Sequence, residues 1–380
     1  MKRTLLCGLA ALGVAAVIPA CGDAAGDTTL SGLSRERFRS EVNGRRTDLY
    51  TLTNAQGMEV CITDFGARIV SIMVPDRAGV LRDVVLGFDN IDDYRTIPSD
   101  FGAAIGRYAN RIARGRFVLD SDTVRLPVNN YGHCLHGGPD GWQYRLCEAQ
   151  RPDAQTLALT LHSPDGDAGF PGAVTAKIVY RLTDDNAVDI SYEATADRPT
   201  VVNMTNHSYF NLSGDPEHPI LDHVLTIAAD GYTPVDSTFM TLGRIDPVEG
   251  TPFDFRQPQA IGARIDADDE QLRNGHGYDH NWVLSTAGDL SRPAACLVSP
   301  VTGIALEVFT DEPGVQVYVG NFLDGTVRGK GGVSYARRTA VCLETQHYPD
   351  SPNKPQWPST VLRPGETYRS RCIYKFSVEK

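Results

Sequence analysis

The chain has no Cys-x-x-Cys pair, no His-Glu-x-x-His run, and no apolar stretch of the roughly 20 residues that a bilayer-spanning helix needs. A zinc ribbon, a thioredoxin-like site, a zincin and a helical membrane protein are therefore not expected. Positive charge is also in short supply. There are 36 Lys and Arg against 47 Asp and Glu, and such a surface repels phosphate backbones, so no nucleic acid partner is expected. The substrate should be neutral or cationic. Strand-helix alternation is missing too, which argues against a doubly wound sheet or a TIM barrel. No low-complexity tract interrupts the chain, and 41% of residues are hydrophobic, enough for a sizeable core.

The longest apolar run, Leu5 to Ala20, follows Lys2 and Arg3 in the order of a secretory leader. It ends in Ile18-Pro19-Ala20-Cys21-Gly22, which resembles a bacterial lipobox with Pro19 in place of the usual small residue. Residues 1–21 are accordingly expected to be a signal peptide, 22–32 a disordered linker, and 33–380 one folded domain. The mature protein should be exported, as a periplasmic or membrane-anchored lipoprotein with lipid on Cys21. Plain secretion after a small residue is the alternative. Of eight cysteines, Cys7 leaves with the leader. Those at 61, 134, 147, 296, 342 and 372 are irregularly spaced, several in apolar alternating runs, and read as buried free thiols. Export would permit disulfides among them.

What fills the domain is short strands between Gly, Pro, Asn and Asp clusters. Thr156 to His162, Val174 to Leu182, Ala187 to Ala194, Ala305 to Phe309 and Val315 to Val319 all have strand length and strand patterning. Asp184-Asp185-Asn186 and Asp311-Glu312-Pro313-Gly314 read as hairpin turns between such runs. The expected fold class is all-β, a large antiparallel β-sandwich. Short helices are expected near Ile91 to Arg95 and Ile261 to Ile265.

Five scattered segments carry the candidate chemistry, as a cleft assembled from loops would. They are Gly106 to Ile112 (GRYANRI), Leu135 to Gly138 (LHGG), Thr205 to Leu212 (TNHSYFNL), Gly277 to Trp282 (GYDHNW) and Cys342 to Gln346 (CLETQ). Together with Asp311 to Gly325 and Pro349-Asp350-Ser351-Pro352-Asn353, they resemble the aldose 1-epimerase, or galactose mutarotase, family over roughly residues 35 to 378. The resemblance implies a β-sandwich of the galactose-mutarotase type, a free aldohexose as substrate and no cofactor or metal. It implies that Glu344 is the base and His207 the acid at the ring oxygen, with Arg111, His136, Asp279, Asn110 and Gln346 binding the sugar.

The residue types suit that chemistry. Anomer exchange needs a base at the C1 hydroxyl and an acid at the ring oxygen, and neither a nucleophile nor a metal. Glu344 stands in an apolar strand, where a carboxylate is costly unless paired or used. Imidazole can give or take a proton near neutral pH, and Asp279 offers acceptors to vicinal hydroxyls. Gly137-Gly138 fits a loop that lets a ligand approach the backbone. Trp282, Tyr209 and Phe322 are candidate sugar-stacking rings, and His133 reads as incidental. Cys147, Trp142, Trp282 and the run Tyr131 to Cys134 depart from the family pattern, which bears on the pocket wall and not on proton transfer. Two other readings compete. Asp279 and Glu344 could be the paired carboxylates of a glycoside hydrolase, or the scaffold could be a noncatalytic sugar-binding lipoprotein.

Overall fold

The computed structural model describes residues 28–379, so the expected leader over 1–21 lies outside the described residues. Order begins earlier than the linker expected over 22–32 would allow. Thr28 bridges to Ser34, the Leu30 amide donates to Glu59 Oε1 at 2.8 Å, and Ser31 Oγ meets Ser71 Oγ at 3.0 Å. The cause is the burial just beyond: Leu33 and Phe38 anchor in the core and draw the preceding residues onto the strands that carry Glu59 and Ser71.

A nine-stranded antiparallel sheet forms one layer. Its strands Thr156–Ser163 and Val174–Leu182 bury alternate residues, as period-2 patterning requires, so one face meets the core and the other stays open. Leu157, Ile178, Tyr192, Leu306 and Tyr374 from this sheet share a single apolar cluster with Trp282, Val315, Val317 and Leu343 from a five-stranded sheet. Val60, Ile62, Ile69 and Ile72 of a four-stranded sheet join them. The sandwich expectation holds, with many short strands and few helices.

Asp184 to Asn186 does turn a hairpin, with Asn186 at φ 62° and Leu182 paired to Val188. The segment Asp311 to Gly314 does not. Ile304–Thr310 pairs within the nine-stranded sheet, whereas Gly314–Tyr318 pairs with Asp279–Leu284 and Cys342–Gln346 in the five-stranded one. The turn therefore carries the chain from layer to layer. Both segments are clusters of turn-forming residues, and it is long-range pairing that separates their outcomes. A helix forms at Ile91–Thr96, capped by Asn90; near Ile261 the chain makes one 3-10 turn, Ile261–Ala263. The six described cysteines are free thiols, all buried except the half-buried Cys296. No helix among the described residues is long and apolar enough to cross a membrane.

Candidate active site

Strand parity builds the floor of the site. In the five-stranded sheet Asn281 lies opposite Gln316 and Gln316 opposite Glu344, while Asp279 lies opposite Tyr318. Residues two apart share a face, so Asp279, Asn281, Gln316, Tyr318, Glu344 and Gln346 all point one way. Trp282, Val315, Val317 and Leu343 point the other way, into the core. Both faces are buried, which explains why these strands read as continuous apolar runs with isolated polar residues. The strand bearing Glu344 is the last of its sheet, but Thr205–His207 packs beside it. Glu344 is 2% exposed, far from the solvent face of an edge strand.

The histidines come from segments clamped by backbone and side-chain bonds. His207 ends a strand paired with Ala103–Ile105; Asn206 Nδ2 donates to the Gly102 carbonyl, and the Gly102 amide donates to the His207 carbonyl. Gly102 sits at φ 67°, and a Cβ there would lie 1.9 Å from the Ile69 carbonyl oxygen, so glycine is required. Tyr209 stacks on the His207 ring at 5.0 Å. His136 follows Cys134–Leu135, which pairs with Arg111–Ile112. Its amide donates to the Asn110 carbonyl, and the Asn110 amide donates to His136 Nδ1 at 3.1 Å. A backbone N–H can only donate, so the ring proton of His136 sits on Nε2. Gly137, at φ 80°, allows the Gly106 carbonyl to approach closely, and a Cβ there would lie 2.3 Å from that oxygen.

These segments enclose a cavity of about 350 Å³. Glu344, His207, Arg111, His136, Asp279 and Asn110 all line it. Gln346 does not. It is fully buried two residues beyond Glu344, and its amide oxygen and nitrogen have no hydrogen-bond partner among the described residues. Trp282 is likewise a core residue, donating Nε1 to the Phe253 carbonyl at 3.0 Å. Tyr209 and the half-exposed Phe322 are the aromatic candidates that reach the cavity. His133 is structural, with Nδ1 accepting from the Arg114 amide and Nε2 against Thr238 Oγ1.

Glu344 Oε1 and His207 Nε2 are 3.4 Å apart, and Glu344 Oε2 and His207 Nδ1 have no hydrogen-bond partner among the described residues. Burial pushes Glu344 well above the usual carboxylate range, Asp279 and Asp100 add to the push, and Arg111 opposes it. Burial pulls the His207 imidazole below its ordinary value, with Asp100 opposing. His136 is pulled further, to about 3, again by burial. Asp279, raised by burial and opposed by Arg111, accepts from Gln316 Nε2 at 2.6 Å. Arg111 donates Nε to Asn130 Oδ1 and lies over the Phe239 ring. Being buried against the cavity, it is no surface ion-pair partner.

Asp100, Asn130, Gln316 and Tyr318 also line the cavity and were not expected from the sequence, as does Tyr131, from the run expected at the pocket wall. Gln316 and Tyr318 were legible in principle, since their strand must present one parity beside Asp279. Asp100, His136 and His207 place one ligand-type atom each within 4.8 Å of one another, the one such group among the described residues. The donor set suits a metal poorly, because His136 carries its proton on the nitrogen left to face the others.

Residues 48–375 match the family model described as aldose 1-epimerase. The chain belongs to the aldose 1-epimerase family. It is 44% identical over 323 residues to a protein named galactose mutarotase from Mus musculus, covering 84% of this chain and 92% of that one. It is 42% identical over 339 residues to an aldose 1-epimerase from Escherichia coli (strain K12), covering 89% and 97%. Among solved structures, a GalM/aldose epimerase homologue from C. elegans superposes with a TM-score of 0.82 at 31% identity, covering 88% of this chain and all of that one. As an aldose 1-epimerase family member the chain is an isomerase of the sandwich fold described above.

Proposed function

We propose that the protein is a mutarotase of free aldohexoses such as galactose and glucose, with Glu344 as the base at the C1 hydroxyl and His207 as the acid at the ring oxygen. The observation that carries this is the 3.4 Å contact of two buried groups on the wall of the cavity. The hydroxyl and ring oxygens are bonded to the same carbon, so the acid and the base that serve them must themselves be neighbours. A glycoside hydrolase would use two carboxylates, but Asp279 is tied to Gln316 and faces Arg111, which suits holding hydroxyls. Asn110, Arg111, His136 and Asp279 hold the sugar in this reading, and Gln316 sets the Asp279 carboxylate.

Opening the ring moves one proton onto Glu344 and one off His207. Starting from a carboxylate and an imidazolium, that leaves two neutral groups, the state that burial favours. Rotation about C1–C2 turns the aldehyde, and the reverse transfers close the ring on its other face. Polarimetry on fresh α-glucose and α-galactose with protein lacking residues 1–21 tests the reading. Rotation should relax faster than in buffer alone and stay fast after exhaustive chelation. An inert protein, or one that loses activity to a chelator and regains it with a divalent ion, would sink the proposal; release of sugar from a glycoside would replace it with hydrolysis.

Export and lipid on Cys21 remain part of the proposal, supported by the basic start and apolar run of residues 1–20. A single acyl chain holds a membrane only marginally, so stable anchoring needs several. Mass spectrometry of the native protein should show Cys21 at the N-terminus with acyl mass added. An unmodified Cys21, or a start further along, would remove the lipid without touching the enzyme.

A further inference from the structure

Asp100 belongs to none of the segments that carry the family resemblance, yet the fold sets it in the middle of the chemistry. Its carboxylate is within 4.8 Å of a ring nitrogen of both His136 and His207, whose rings meet edge-on at 5.2 Å. It lines the sugar cavity and also a second cavity of about 350 Å³ that shares Leu135 and His136 with the first. One of its oxygens is buried with no hydrogen-bond partner among the described residues. The loop that carries it is built to stay put. The fully buried Arg68 donates to the Ser99 and Phe101 carbonyls on either side of Asp100 and to Gln143, and Gly102 bonds directly to the His207 backbone.

We propose that Asp100 is a positioning residue of the reaction, an anion that holds the single working proton on the His207–Glu344 pair. The inference rests on the mutarotase reading above. A pair 3.4 Å apart titrates as a unit. It works with one proton, fails when the proton is lost at high pH, and fails when a second is gained at low pH. A negative charge beside His207, on the cavity wall shared with Glu344, favours protonation of each, so it carries the one-proton state to higher pH. Other groups that bear on His207 are Arg68, which opposes, the neutral His136, and the stacked Tyr209 and edge-on Tyr318. On the Glu344 side are Asp279 and Arg111, of opposite sign. Asp100 is the carboxylate that bears on both partners.

The test is the pH profile of mutarotation for the wild type, Asp100→Asn, Asp100→Ser and Asp100→Glu. Both neutral variants should lose the alkaline limb about one pH unit earlier, roughly a tenfold loss of kcat at alkaline pH. KM should stay within about twofold. Asp100→Glu keeps the charge and should restore most of the limb. Two neutral side chains of different size keep the test alive if one fails to fold. Unmoved alkaline limbs in a folded neutral variant would overturn the proposal, as would a raised KM with kcat intact, which would make Asp100 a sugar contact. A wild type inert in polarimetry would instead sink the mutarotase reading on which the inference rests.

Discussion

Replacing Glu344 by Gln should lower kcat for mutarotation by about 10²-fold or more while KM for galactose and glucose changes little. The substitution keeps the volume and the capacity to hydrogen-bond, in a position that is 2% exposed and fixed within a strand, so the fold should be retained. What it removes is the ability to take a proton. Glu344 is suited to that task because burial, reinforced by Asp279 and Asp100, raises its proton affinity well beyond that of an ordinary carboxylate. Its Oε2, buried and unpaired, offers the acceptor a C1 hydroxyl requires; leaving such an acceptor unsatisfied costs about 1–3 kcal/mol. Stopped-flow polarimetry reads the result. Near-normal turnover in the folded variant would strip Glu344 of the role and shift attention to Asp279.

The pair faces opposite demands that burial reconciles. A carboxylate in a water-poor pocket is a stronger base, and an imidazolium there is a stronger acid. In the proposed mechanism each is therefore poised to make the transfer that opens the ring, and the product of both transfers is an uncharged pair. The charged residues nearby bear unequally on it: Arg111 offsets the carboxylates around Glu344, whereas Asp100 offsets the effect of burial on His207.

Much of this site was legible because its residues sit in short motifs whose types match the reaction. Glu344, His207, His136, Asp279, Arg111 and Asn110 all reach one cavity. Gln346, expected from the resemblance, shares the face of Glu344, but of the two only Glu344 lines the cavity. Trp282, a candidate ring by residue type and left out of the expected site set, is sent into the core by parity. Asp100 was invisible because it carries no local signal, and Gln316 went unremarked although the parity of its strand beside Asp279 could be read. They are placed by contacts that join Gly102 to His207 and Gln316 to Asp279 across long stretches of chain. Strands were read well where one face is open, as in Val174–Leu182 with its strict alternation. The sheet change after Thr310 was not, because a turn sequence says nothing about which partner the next strand will find.

His207→Asn should cost kcat about as much as Glu344→Gln, roughly 10²-fold. Asparagine retains a donor near the ring oxygen but delivers no proton, and the ring stacked on Tyr209 is lost. The more discriminating measurement is the double variant. If the two groups acted independently, their losses would multiply to about 10⁴-fold; groups that work as one unit lose nearly everything with the first removal. At 3.4 Å, one taking a proton and one giving a proton at two oxygens on the same carbon, Glu344 and His207 should behave as a unit. The double variant should thus fall only a few-fold below the weaker single variant. Its residual rate would reflect what Arg111, His136 and Asp279 achieve by holding the sugar in place. A double variant that shows the full product of the single losses would mean that the two side chains serve separate steps, and concerted transfer at the two sugar oxygens would have to be abandoned.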